Sequence, residues 1–138
     1  MLLYCAMENT KKEIRFEHQI SNEDHFIFAM LNEKNIGYAW FKIKENQANL
    51  CYISVDDQYR KCHIASGLLD CIEIICREKH VNNIIGKFYP EIDPQIVLDF
   101  YEKNGYSFFR DGYEQMIQKN FFSTDKTPEI KIIERTNI

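Results

Sequence analysis

The chain's 138 residues are 45% apolar and 14% aromatic, enough for one domain with its own core and too apolar for a disordered body. Seventeen basic residues against 21 acidic ones leave a net charge near −4, opposite to the usual bias of a nucleic-acid binder, which weighs against nucleic acid as a main partner. No stretch nears the roughly 20 apolar residues of a membrane helix, and the apolar patch Met1 to Met7 is too short and lacks the basic flank of a signal sequence.

Residues 13–20 alternate apolar and polar, the period-two mark of a half-buried strand. Apolar, aromatic runs at 25–31 and 36–43 flank Asn32-Glu33-Lys34-Asn35, a hairpin turn, and Glu45-Asn46-Gln47 turns into a strand over 48–55. The period then changes. Ile64, Leu68, Ile72 and Ile75, with Ala65, Leu69 and Cys76 beside them, define one face of a helix ending near His80, and Asp70, Glu73, Arg77 and Glu78 face outward. Residues 84–89 form a short strand halted by Pro90. Asp93-Pro94 opens a second helix that stops at Asn104-Gly105, and 106–109 and 113–118 make a closing hairpin around Asp111-Gly112. This order predicts an α/β fold with a mixed, mostly antiparallel sheet flanked by helices. Residues 1–122 form the domain, and 123–138 read as a tail or an extra edge strand, with 129–134 a candidate for strand exchange in a homodimer.

The five cysteines, Cys5, Cys51, Cys62, Cys71 and Cys76, are odd in number and contain no C-x-x-C, so they read as free thiols in a reducing cytoplasm. Cys62 beside His63 lacks a second ligand cluster, and no metal is expected.

The chemistry concentrates between Val55 and Leu69. A strand that hands directly to a helix leaves backbone N–H groups pointing into the gap, and with the positive end of the helix dipole they make an anion site suited to phosphates. Here two segments resemble the GNAT superfamily of acetyl-CoA-dependent N-acyltransferases. The first is Val55-Asp56-Asp57-Gln58-Tyr59-Arg60-Lys61-Cys62-His63-Ile64-Ala65, similar to that family's Val-x-x-x-x-Arg/Gln-x-x-Gly-x-Gly/Ala. The second is Phe100-Tyr101-Glu102-Lys103-Asn104-Gly105-Tyr106, similar to its Phe-Tyr-x-Lys-x-Gly-Phe, and together they are fairly specific.

The resemblance implies acetyl-CoA as co-substrate and a small-molecule or peptide amine as acceptor, with neither nucleic acid nor membrane as partner. It implies that Arg60, Lys61, Cys62, His63, Ala65 and Ser66 hold the CoA pyrophosphate, that backbone groups at Ile53 and Val55 pair with the pantetheine arm, and that Tyr101 protonates the departing thiolate. Arg60 also reads as a solvated turn residue, Tyr101 as a packed aromatic, and His63 equally as a phosphate contact or an exposed helix start. The departures from the family are His63 and Lys61 where glycines stand, Pro94 for an Asn, a strand 48–54 without a carboxylate, and only Ser21-Asn22-Glu23-Asp24 where a helical pair usually lies. Glu91 and Asp93 are within reach of the acceptor amine, although helix capping accounts for Asp93. These departures leave an alternative function, a catalytically inactive domain serving as a CoA-binding or protein-interaction module.

Overall fold

Five strands come first, each turning back on the last: β1 (Leu3–Met7), β2 (Thr10–Ser21), β3 (Asp24–Leu31), β4 (Lys34–Lys44) and β5 (Gln47–Val55). This computed structural model describes residues 3–7, 10–88, 94–122 and 126–135, with side chains from Glu13 onward. The connections from β2 to β5 are two-residue turns, and their left-handed positions fall on Asn22, Asn32, Glu45 and Asn46. Asn tolerates that conformation better than most residues, and positive φ at both Glu45 and Asn46 gives the twist that suits a tight hairpin.

After β5 come α1 (Ile64–Glu78), β6 (Asn83–Lys87), α2 (Pro94–Lys103), β7 (Ser107–Asp111), β8 (Glu114–Asn120) and β9 (Ile132–Glu134). The nine strands form one sheet in the order β1-β2-β3-β4-β5-β6-β8-β7, with β9 parallel to β2. The β5–β6 and β2–β9 pairs are parallel and the remaining pairs are antiparallel, the mixed sheet that the sequence predicts. Pro90 and Asp93, expected to end β6 and cap α2, lie outside the described residues, as does Glu91.

Strand β1 was not foreseen, since its residues read only as an apolar patch. It pairs with Thr10–Ile14 of β2, while β9 takes Phe16–His18 along the same edge. Arg135 fastens the end of β9: its N–H donates to the His18 carbonyl at 2.7 Å, its Nε to Glu17 at 2.6 Å, and its guanidinium lies 4.3 Å from the Phe28 ring centre.

Helix α1 covers β3, β4 and β5, packing Ile64, Leu68, Ile72 and Ile75 against Ile27, Ala29, Ala39 and Phe41. The outward reading of Glu73 is corrected here. Its carboxylate is buried, because Lys119 of β8 reaches it at 2.9 Å and Arg77 at 3.2 Å. Those two cations offset the desolvation that would otherwise keep the group at the surface.

Beneath the end of α1 lie two further buried polar groups, His18 and His25. With both rings neutral, His18 Nδ1–H donates to Glu134 at 3.0 Å and His25 Nδ1–H donates to His18 Nε2 at 2.9 Å. The His25 ring stacks on Phe41 at 4.9 Å. Burial first, and the neighbouring His18 second, push His25 down from 6.5 to about 4. Below pH 6.5 the unfolded chain therefore takes a proton that the folded chain refuses until about pH 4. Stability is then full above pH 6.5 and falls across that window, by about 2–3 kcal/mol from this group. Denaturation midpoints at pH 7 and pH 4.5 test this, and His25→Phe, which keeps the stacking, should remove most of the difference.

Candidate active site

The pairing of β5 with β6 stops early. Ala48, Asn49 and Leu50 face Ile84, Ile85 and Gly86, and beyond them β5 runs on to Val55 with no partner on that side among the described residues. Gly86 stands where the strands part. A Cβ there would lie 3.0 Å from the Leu50 carbonyl oxygen, so glycine lets the backbones approach closely just before they separate. A register shift against Trp40/Phe41 makes Cys51 the extra residue of a bulge, with Trp40 opposite Tyr52 and Phe41 opposite Leu50. Bulges re-aim side chains at strand ends, here at the mouth of the fork.

The fork opens into a cleft of about 380 Å³. One wall is β5 from Leu50 to Val55, the other is Lys87 and Phe88 with Ile96, Val97, Phe100 and Tyr101 of α2, and Arg60 and Ala65 close one end. Ile53 and Val55 lie on the first wall. The Val55 carbonyl, however, already accepts from Arg60 Nε at 3.3 Å, and the Arg60 guanidinium also pairs with Asp57 at 2.8 Å. The Asp57 pair is exposed and therefore weak, leaving the guanidinium able to turn to a stronger anion.

At the start of α1 the first intrahelical bond runs from Gly67 N–H to the His63 carbonyl at 3.1 Å, so the amides of Ile64, Ala65 and Ser66 lack intrahelical acceptors. His63 caps the helix in the left-handed conformation, φ 60° and ψ 23°, with no side-chain cap bond. That backbone shape is the one a glycine adopts freely, and imposing it on an L-residue costs about 1 kcal/mol. His63→Gly should accordingly raise stability by about 1 kcal/mol and leave CoA affinity unchanged or improved. Thermal melting and calorimetry check the two halves. A large loss of affinity would instead identify the imidazole as a phosphate ligand.

Beside these amides is a second depression of about 320 Å³, formed by Arg60, Lys61, His63, Ala65, Ser66, Phe100 and Lys103. Three cations around a helix start favour a polyanion. Lys103 had no expected role, although it stands in the second motif; α2 brings it to the α1 start, which no local pattern reveals. Cys62 departs from expectation. It is disulfide-bonded, whereas Cys51, Cys71 and Cys76 are free. The inference from free thiols to a reducing compartment does not hold for it.

Tyr101 reaches the cleft from α2 and is otherwise buried, edge-on to Phe100 at 5.1 Å and Tyr106 at 5.5 Å. Burial pushes its phenol up to about 12, so it is a proton donor throughout the neutral range. Cys51 also lines the cleft, and burial raises its thiol, keeping it protonated. No carboxylate lines the cleft among the described residues; Glu114 of β8 and Asp57 pair with its lining cations Lys87 and Arg60, at 2.9 and 2.8 Å. Among the described residues no group of His, Cys, Asp or Glu has metal-binding geometry, and no helix is long and apolar enough to cross a membrane.

Comparison with known proteins places this arrangement. PaiA N-acetyltransferase from Thermoplasma acidophilum, in complex with coenzyme A, is similar at 24% identity and a TM-score of 0.66, over 72% of this chain and 62% of that one. The match thus spans less than two thirds of that relative's length. A Bacillus anthracis protein described as a streptothricin acetyltransferase, in complex with acetyl-coenzyme A, matches at 19% identity and 0.64, over 74% and 65%. The ribosomal-protein-S18-alanine N-acetyltransferase of Escherichia coli matches at 16% and 0.63, over 80% and 77%. At these identities the likeness is one of fold. No curated protein matches. A family model for the acetyltransferase (GNAT) domain covers residues 22–108, well over half of the chain and including the fork, the α1 start and the end of α2. The chain belongs to the GNAT acetyltransferase family.

Proposed function

We propose that this chain transfers an acetyl group from acetyl-CoA to a primary amine of a small molecule or peptide. The observation that carries it is the continuity of the β5–β6 fork with the cation-ringed start of α1, which Arg60 and Ala65 share. An extended thioester arm fits the first and a pyrophosphate suits the second. The unpaired edge of β5 at Ile53 and Val55 offers the arm a strand-like partner, and Arg60, Lys61 and Lys103 supply charge to the phosphates. The amine nitrogen attacks the thioester carbonyl carbon, a backbone amide of β5 supports the oxyanion, and the C–S bond breaks as the thiolate takes the Tyr101 proton. The nitrogen releases its own proton to solvent or to a backbone-held water.

Calorimetric titration with acetyl-CoA should give saturable heat, with a rise in melting temperature. No heat and no thermal shift at millimolar ligand would overturn the reading. The cleft's lack of a carboxylate among the described residues favours one second reading, a CoA-binding module without turnover. Release of free CoA in the presence of an amine panel separates the two.

A further inference from the structure

Strand side chains alternate, so the residues of β3, β4 and β5 that do not face α1 project from the opposite side of the sheet. Five of them are aromatic. Phe26 lies opposite Trp40, Trp40 opposite Tyr52, and Phe28 opposite Tyr38. Their rings touch: Phe26 and Trp40 stack at 6.2 Å, Phe26 and Phe28 at 6.3 Å, and Tyr38 leans on Tyr52 at 5.5 Å. Four are half-buried, and Tyr52 is 41% exposed. Tyr52 also lines the cleft, so the rings and the fork form one continuous surface. Two strand spacings, about 10 Å, separate the mouth of the fork from Phe26 and Phe28.

The charges around these rings decide what the surface accepts. Its carboxylates are engaged: Glu17 pairs with Arg135 at 2.6 Å and Arg15 at 3.4 Å, and Asp24 accepts the Trp40 indole N–H at 2.8 Å with Lys42 3.8 Å away. Lys42 lies 5.7 Å from the Trp40 ring centre, and the Arg135 guanidinium stands over Phe28. A ligand's second ammonium would meet cations that already occupy the ring faces, whereas an uncharged alkyl or aryl body would meet apolar carbon.

We propose that the aromatic platform of Phe26, Phe28, Tyr38, Trp40 and Tyr52 holds the body of the acceptor, and that the acceptor is a hydrophobic primary amine without a second cation. The inference rests on the acetyl transfer proposed above. The amine end reaches the fork past Tyr52, where nitrogen bonds to the acetyl carbon as the C–S bond breaks, and the rest of the molecule lies over β4 and β3.

Two measurements test it separately from that reading. Trp40 is the chain's single tryptophan, so its fluorescence reports occupancy of the platform without turnover. Hexylamine and phenethylamine should change it saturably, and 1,6-diaminohexane should need about tenfold more for the same change. With acetyl-CoA present, kcat/KM for hexylamine should exceed that for 1,6-diaminohexane by about tenfold, and Lys42→Gln should narrow the gap. Tyr38→Ala, at a platform ring that does not itself line the cleft, should raise KM for hexylamine about tenfold while acetyl-CoA affinity holds. Saturable binding without turnover supports the platform and refutes the transfer. Turnover that prefers the diamine, or that Tyr38→Ala leaves unmoved, refutes the platform and spares the transfer.

Discussion

Tyr101→Phe should lower turnover at least about a hundredfold and leave acetyl-CoA affinity and melting temperature nearly unchanged. The substitution removes one hydroxyl and keeps the ring packed between Phe100 and Tyr106. Loss of activity with intact binding would therefore isolate proton delivery to the thiolate. With the phenol held up to about 12, its protonation does not change across neutral pH. The rate should rise with the acceptor amine's own deprotonation and show no acidic limb from a protein carboxylate. A bell-shaped profile near neutrality would place a general base outside the described cleft lining. Unchanged turnover in Tyr101→Phe would leave Tyr101 a packing residue and return the proton to solvent, whereas turnover that vanishes removes the inactive-module reading.

Glu73→Ala should cost about 3 kcal/mol, seen as a melting temperature lowered by roughly 10 °C. Glu73 is the anion under which three elements meet. Lys119 of β8 binds it and also donates to the Asn104 carbonyl at the end of α2 at 2.9 Å, while Arg77 holds it from the next turn of α1. Removing the carboxylate leaves two partly buried cations without their shared anion and loosens Lys119 at the position that ties α2 to the sheet. The variant should accordingly bind acetyl-CoA more weakly as well, since Phe100, Tyr101 and Lys103 ride on α2. Glu73→Gln, which retains a hydrogen-bond acceptor, should lose less. Equal stability in Glu73→Ala would show that the cluster only offsets its own desolvation.

What the sequence made legible follows from local periodicity. Alternation located β2, apolar and aromatic runs between turns located β3 to β5, the three- and four-residue spacing located α1, and Asn and Gly placed the turns. The start of α1 and the position of Tyr101 came through short motifs whose residues are neighbours in the chain. The fork did not, because it depends on where β5 and β6 cease to pair, and these strands lie some thirty residues apart. The depth of Glu73 depends on Lys119, and the burial of His18 and His25 on Glu134 and Phe41; helical or strand phase reports a face but not what arrives to cover it. The same limit hid the platform. Phe26, Tyr38 and Trp40 fall within the apolar, aromatic runs 25–31 and 36–43, and only register sets them in rows ending at Tyr52.

The division of β2's outer edge between two short strands has a consequence for how copies of this molecule meet. β1 runs antiparallel to β2 and β9 runs parallel to it, so the two present their outward hydrogen-bonding groups in opposite chain directions. A strand added there would form an antiparallel ladder with one and a parallel ladder with the other, and neither stretch is long. That interrupted edge, five residues on one side and three on the other, works against polymerisation along the sheet.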